Sequence, residues 1–325
     1  MFIINIIILV VGFVALIKGA DLFVEGSASL AKNFQVPGLI IGLTIVALGT
    51  SAPELAVSTS AALQGSNEIA LSNVVGSNIF NLLCVLGVCA MIHPVPVDRK
   101  ILKRDFPVSL LAAILVLFGT SGADIVSGQF LNLGMEDNVG IVSRILGMVL
   151  LICFISYIIY LIVDAKKHPE IEEETTNRTT FACLLLILIG LALIVGGGQA
   201  VVYSAKEIAR AAGMTETLIG LTIVAVGTSL PELVTSIVAA RKGETGLAVG
   251  NVVGSNIFNL LFILGVSSTI HPVGVNLASV YDLLILAAVS ILTWLFSVSD
   301  HSIKRIEGAV MLGAYVADVI FAIVR

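Results

Sequence analysis

Residues 41–55 read IGLTIVALGTSAPEL, and residues 219–233 read IGLTIVAVGTSLPEL. Each is an apolar run interrupted by Gly-Thr-Ser-X-Pro-Glu, which places Glu54 and Glu232 deep in otherwise hydrophobic sequence. The same offset of 178 residues aligns NVVGSNIFNLL at 73–83 with NVVGSNIFNLL at 251–261. Over 41–97 against 219–275, without a gap, 37 of 57 positions are identical. Shared membrane composition cannot produce this, because the identities include polar and helix-breaking residues. The chain is an internal duplication.

Working outward, 58% of the 325 residues are hydrophobic and 12% are charged, with mean hydropathy +1.08. Soluble domains carry about 25% charged residues. A soluble globule of this length could not cover its surface, and disorder is excluded by the same excess of apolar area. The composition predicts a polytopic membrane protein. No basic stripe exists to neutralise phosphates, so nucleic acid is excluded as a partner. Cys84, Cys89, Cys153 and Cys183 sit singly in apolar stretches and read as small apolar filler. The apolar run from Met1 has no preceding Lys or Arg and no small-residue cleavage site, so it reads as a first span.

Ten apolar runs recur, near 2–30, 37–62, 69–92, 105–120, 141–163, 180–205, 215–240, 246–270, 280–297 and 305–324. Period-2 alternation is lacking, so membrane strands are not expected. The longest hydrophilic stretch, Asp164–Thr180, splits the runs five and five. Its acids, Glu170 and Glu172 to Glu174, lack the alternating spacing of a calcium loop and read as a solvated linker. The expected organisation is therefore a first five-helix repeat over 1–163, a short cytoplasmic linker over 164–179, and a second over 180–325. Five is odd, so the copies must be inverted. With the N-terminus outside, inner segments hold 12 Lys and Arg and outer segments hold 4. Positive charge favours the cytoplasm, so both termini are expected outside. The fold expected is all-α, with ten transmembrane helices as two inverted five-helix repeats. Such repeats with a midplane site between them are a transporter architecture.

A carboxylate deep in lipid is expensive and marks a functional site by default. A pseudo-two-fold axis in the membrane plane brings Glu54 and Glu232 to one depth, where two anions need a cation or a proton. Thr50 and Glu54 share a helix face, and Ser51 flanks them. Pro53 has no N–H, so the Gly49 carbonyl loses its helical partner, as Gly227 does before Pro231. Ser77 and Asn81 lie at i, i+4, as do Ser255 and Asn259, and Gly76 and Gly254 precede them to allow close helix approach. The donors are carboxylate, hydroxyl and carbonyl oxygens, which suit a hard cation such as calcium. No imidazole or thiolate occurs here, which argues against zinc or copper. Lys18, Asp21 and Glu25 lie on one face of the first span and read as local ion pairing. Their second-half counterparts are Gly196, Gln199 and Tyr203. His93 and His271 read as interfacial caps, and Asp318 has no reading.

At GTSAPEL, GTSLPEL and the two GSNIFN segments, the chain resembles the sodium/calcium exchangers of the cation/calcium antiporter superfamily, in a minimal microbial form. The resemblance spans essentially the whole chain. It implies antiport of sodium against calcium by alternating access, electrogenic at three sodium ions per calcium. It implies that Glu54 and Glu232 bridge calcium, with further oxygens from Thr50 and Thr228. Ala47, Ser51, Ser77, Ala225, Ser229 and Ser255 fall where the family binds sodium, and Asn81 and Asn259 flank the centre. Asn259 stands where potassium-dependent members carry Asp, which argues against potassium dependence. Ser72 in the first copy faces Gly250 in the second, without a functional reading.

Beyond calcium and sodium ions and the bilayer, the reading implies no cofactor and no obligatory protein partner, in a prokaryotic cell membrane. A proton/calcium antiporter is the nearest alternative, but the GNxxE helices of that branch are missing. A cation channel fits the buried acids and not the inverted broken helices. An enzyme is a poor fit, since no catalytic or cofactor fingerprint appears.

Overall fold

The structure, a computed structural model, describes residues 2–64, 67–127, 133–167, 178–214 and 225–324. Helices dominate it. In chain order, α1 is Phe2–Phe34. Helices α2 (Gly38–Thr50) and α3 (Ala52–Leu63) form one broken span, bent by 49°. Helix α4 comprises Asn67–Phe80, a π-helical turn at Asn81–Val85, and Leu86–Ile92. Helices α5 (Phe106–Ser127) and α6 (Arg144–Lys167) follow.

The second half begins with α7 (Thr180–Ala211). After a short helical turn at Ala225–Thr228 comes α8 (Leu230–Arg241). Helix α9 comprises Thr245–Ile257, a π-helical turn at Phe258–Ile263, and Leu264–Ile270. Helices α10 (Leu277–Ser299) and α11 (Arg305–Val324) complete the chain. The π-helical turns of α4 and α9 occupy equivalent places in the halves, each beside an asparagine of a GSNIFN segment, and two further such turns lie at Gly42–Val46 within α2 and at Ile101–Asp105 before α5. A π-bulge often marks a functional site.

Among the described residues, seven helices are long and apolar enough to cross a membrane, and eight if the bent pair counts as one span. The seventh apolar run lies partly on residues 215–224, outside the described residues, as do Glu170 and Glu172 to Glu174 of the linker. The outer faces of α1, α6 and α7 are studded with exposed apolar side chains, among them Ile3, Val11, Ile145, Ile152, Phe181 and Leu188. Water would not tolerate so continuous an apolar surface. The protein is an integral membrane protein.

Packing separates a buried centre from a lipid-facing pair. In α9 nearly every residue from Leu247 to Ile257 is buried. Helices α1 and α7 lie against each other along their lengths. A Cβ on Gly190 of α7 would stand 2.6 Å from the Phe23 nitrogen, and one on Gly197 2.7 Å from that of Leu16. Only glycine permits this approach, and close contact is what drives helix association in lipid.

The sequence leads us to expect no membrane strands, and the strands present lie in connections between helices. There β1 (Val95–Pro96) pairs antiparallel with β4 (Ser302–Ile303). The other ribbon pairs β2 (Asn138–Val142) with β3 (Val273–Asn276). Each ribbon joins one half of the chain to the other. This satisfies backbone groups where helices end.

One expectation needs correction. Gly254 does allow close approach, since a Cβ there would stand 2.7 Å from Leu43 Cα. Gly76 does not: it is exposed, and a Cβ would meet nothing within 4 Å. The two copies carry the same motif in different surroundings.

Candidate cation site

The site forms where the breaks in the two halves meet. Ser51, between α2 and α3, has φ −82° and ψ 10°. Ser229, before α8, has φ −91° and ψ 6°. Each break precedes a proline by two residues, and each new helix carries its glutamate in the first turn. A carboxylate there faces the positive end of the helix dipole. The Gly49 carbonyl, which Pro53 cannot serve, accepts from a backbone N–H of the helix cap. Its expected orphan status is relieved locally.

Glu54 and Glu232 are both fully buried. Their hydroxyl partners are exchanged between the halves. Ser51 Oγ donates to Glu232 Oε1 at 2.8 Å, and Ser229 Oγ donates to Glu54 Oε1 at 3.1 Å. Ser77 Oγ lies 3.5 Å from Glu54 Oε1, and Ser255 Oγ 3.4 Å from Glu232 Oε1. Ser229 Oγ also reaches Ser77 Oγ at 3.1 Å. The expected acids and serines thus form one cluster.

Thr50 Oγ1 donates to Asn251 Oδ1 at 2.9 Å, across the halves. Thr228 is half-buried one turn before Glu232. The Ala47 carbonyl accepts the Ser51 N–H at 3.0 Å. Ala225 opens the short helical turn before Ser229, and its side chain lies outside the described residues.

Asn81 and Asn259 lie at the crossing of α4 and α9. Asn81 Nδ2 donates to Asn256 Oδ1 at 3.1 Å, and Asn259 Nδ2 to Asn78 Oδ1 at 2.9 Å. The amides of Asn78 and Asn256 donate to each other's backbone carbonyls at 3.1 and 3.3 Å. Four asparagines therefore lock the two helices together.

Five of the expected site residues have a buried side-chain oxygen without a hydrogen-bond partner among the described residues: Glu54 Oε2, Glu232 Oε2, Asn81 Oδ1, Asn259 Oδ1 and Thr228 Oγ1. The first four form two equivalent pairs, and six further buried hydroxyls elsewhere are likewise unpartnered. A buried oxygen without a donor is expensive. A cation satisfies several at once, and hard cations take oxygen ligands. Among the described residues, no group of three or more His, Cys, Asp or Glu is placed to hold a metal ion.

Sequence reasoning missed a clamp. Asn73 Nδ2 donates to Ser58 Oγ at 2.9 Å and lies 3.4 Å from the Glu54 carbonyl. Asn251 Nδ2 repeats this with Ser236 Oγ at 2.9 Å and the Glu232 carbonyl at 3.4 Å. Each amide ties the glutamate's backbone to the neighbouring helix. The signal was present, since Asn73 and Asn251 open the identical NVVGSN segments.

A family model described as sodium/calcium exchanger protein matches residues 4–163 and 182–324. The chain belongs to that family. It is 32% identical to the sodium/calcium exchanger MaX1 of Methanosarcina acetivorans, over 97% of this chain and 97% of that one. It is 38% identical to CaxA of Alkalimonas amylolytica, over 95% of this chain and 96% of that one. A solved structure of the sodium-calcium exchanger NCX_Mj, soaked with sodium and strontium, superposes with TM-score 0.81 at 33% identity, over 98% of this chain and 99% of that one. The protein is therefore a cation/calcium antiporter of minimal microbial type, and not an enzyme.

Several of the exchanger's remaining charges pair across the chain. The local pairing expected of Lys18, Asp21 and Glu25 does not hold for the two acids. Asp21 pairs with Lys242 at 3.0 Å, and Glu25 with Arg178. Asp105, fully buried at the start of α5, accepts two bonds from Arg104, at 2.6 and 3.0 Å, and one from Tyr157 at 2.9 Å. Arg104 also reaches Asp164 at 3.0 Å. His93 and His271 each place Nδ1 near the following proline carbonyl, at 2.8 and 3.0 Å, as expected of helix-end residues.

Proposed function

We propose that the protein exchanges sodium for calcium across a prokaryotic cell membrane by alternating access, and that the exchange is electrogenic. The observation that carries this is the exchanged pairing of Ser51 with Glu232 and Ser229 with Glu54. It makes one compact cluster of carboxylate and hydroxyl oxygens from two inverted elements. MaX1 and NCX_Mj, both named as sodium/calcium exchangers, support the choice of ions.

In this reading Glu54 and Glu232 bridge calcium, and Thr50 and Thr228 add oxygens to it. Ala47, Ser51 and Ser77, with Ala225, Ser229 and Ser255, serve sodium. Asn81 and Asn259 flank the centre. Two carboxylates bring at most two negative charges. Calcium neutralises both, and sodium ions neutralise them with help from hydroxyls and carbonyls. The ions compete for the same oxygens, so one must leave for the other to bind. No resident cofactor is required.

The finer architecture belongs to the same proposal: ten spans, in repeats 1–163 and 180–325 joined by a cytoplasmic linker over 164–179, with both termini outside. Two observations support it. Counting ten spans puts β1 and β4 on one side of the membrane and β2 and β3 on the other, which is how the strands pair. The same count puts both members of the Asp21–Lys242, Glu25–Arg178 and Arg104–Asp164 pairs at the inner side.

The test is radioactive calcium uptake into proteoliposomes loaded with sodium. Uptake in choline medium that collapses when sodium is equal on both sides is the expected result. Uptake indifferent to sodium would overturn the proposal. A pH gradient would then separate proton antiport from a channel.

A further inference from the structure

An inverted repeat changes access by letting its halves exchange conformations. Differences between equivalent contacts in one structure therefore mark what must change. This inference rests on the alternating access proposed above.

The halves differ clearly at the interface of α1 with α8 and its equivalent, α7 with α3. Helix α1 packs along α8, whereas its counterpart α7 scarcely touches α3. Between α7 and α3 lies a cleft of about 330 Å³, bounded by Pro53, Val57, Gln199 and Lys206, with Thr228 among its walls. The cleft reaches Thr228 and Pro231 at the edge of the cation site, on the outer side by the loop-charge topology. The equivalent region at the inner side is closed, and Thr235, the counterpart of Val57, is fully buried.

An ion pair sits on the closed interface. Lys242, at the end of α8, lies 3.0 Å from Asp21 Oδ1 on α1, and its Nζ also donates to the Asp21 carbonyl at 3.1 Å. Applying the 178-residue offset, the counterpart of Asp21 is Gln199 and that of Lys242 is Gln64. Charge has been placed on one interface and neutral amides on the other. Gln64 donates instead to Ser60 Oγ on its own helix at 2.9 Å, and Gln199 is exposed. No hydrogen bond joins Gln64 and Gln199 among the described residues.

We propose that Asp21 and Lys242 form a latch on the inner closure, which biases the exchanger toward the outward-open state. When α1 and α7 shift against the rest, the ion pair breaks and only a Gln64–Gln199 amide contact replaces it. The two access states are thus unequal in energy although the cation site is nearly symmetric. The pair is about one-third exposed on each side chain, 35% for Lys242 and 39% for Asp21, so its effect is modest. Exposed pairs shift an equilibrium by about two- to fivefold.

The experiment uses the full chain in liposomes, with the four native cysteines replaced by alanine and exchange retained. Val57→Cys reports access from the cleft, and Thr235→Cys reports access from the opposite side. Reaction rates with a membrane-impermeant thiol reagent are measured from each side. Lys242→Gln should lower the Val57→Cys rate and raise the Thr235→Cys rate, by about two- to fivefold. The charge swap Asp21→Lys with Lys242→Asp should restore the original rates. Gln199→Asp with Gln64→Lys, which builds a latch on the other interface, should shift both rates as Lys242→Gln does. Unchanged rates in Lys242→Gln, or a swap that fails to restore them, would overturn the latch. If replacing sodium by calcium moves neither reporter in the parent, the alternating-access reading falls and the latch with it.

Discussion

Ser51 Oγ donates to Glu232 Oε1 at 2.8 Å, so the hydroxyl that opens one motif holds the carboxylate that closes the other. Ser229 and Glu54 repeat the relationship at 3.1 Å. Neither half holds its own glutamate alone. Under the proposed alternating access, an ion bound at one carboxylate bears on the break in the opposite half.

Removing charge from either glutamate should end calcium exchange. Glu54→Gln and Glu232→Gln keep shape and burial but leave one negative charge for a divalent ion. Calcium uptake driven by a sodium gradient should fall to background in both. Near-normal flux in either variant would refute the site. Folding is checked by elution of a monodisperse peak in detergent.

The serines should be graded and not all-or-none. Hydrogen bonds to charged groups contribute about 1.5–3 kcal/mol. Ser51→Ala or Ser229→Ala removes one such donor and one sodium-type oxygen. The sodium concentration for half-maximal exchange should rise by about tenfold or more in each, with calcium uptake retained at high sodium. An unchanged sodium requirement would remove the serines from the site.

Acid should inhibit. Protons and cations compete for the same carboxylate oxygens, and a protonated glutamate has lost the charge that calcium needs. Exchange at fixed gradients should fall as pH drops through the titration of Glu54 and Glu232, and added calcium should partly restore it. Acceleration by acid would favour proton coupling instead.

Much of this was legible in the residues. The repeated GTSxPEL and GSNIFN segments locate the breaks, the acids, the serines and the crossing asparagines. Apolar runs locate most of the described helices to within four residues, but α5 and α7 run on past the expected 120 and 205 to Ser127 and Ala211. The exchanged serine–glutamate pairing was not legible, because spacing along one helix places Ser51 beside Glu54 and carries no information about the opposite half. Nor was the contrast between Gly76 and Gly254. Identical sequences cannot announce that they occupy unequal environments. The partners of Asp21 and Glu25 lie across 221 and 153 residues, beyond any helical periodicity.

The Asn73 and Asn251 clamps should act on geometry. Asn73→Ala leaves Ser58 without its 2.9 Å donor and frees the Glu54 backbone. Loss of one such buried bond costs about 1–3 kcal/mol. The melting temperature in detergent should fall, and calcium affinity should weaken severalfold. Asn251→Ala should cost more, because Asn251 is fully buried and its Oδ1 also accepts from Thr50 Oγ1 at 2.9 Å, a bond that Thr228 does not make to Asn73. A smaller effect in Asn251→Ala than in Asn73→Ala would refute this ordering.

Asn259→Asp tests the electrostatic arithmetic at the centre. Asn259 Nδ2 donates to Asn78 Oδ1 at 2.9 Å, and its own Oδ1 has no protein partner among the described residues. Aspartate cannot donate, so the variant sets two acceptors face to face and adds a third buried negative charge. A buried charge without a partner is strongly destabilising, by about 3–5 kcal/mol. Another cation can relieve both defects. The variant should melt at lower temperature in choline and regain stability in sodium or potassium. Its calcium uptake should acquire a stimulation by external potassium that the parent lacks. Potassium stimulation already present in the parent would mean that an amide suffices there, and the assignment of charge to the two glutamates alone would fail.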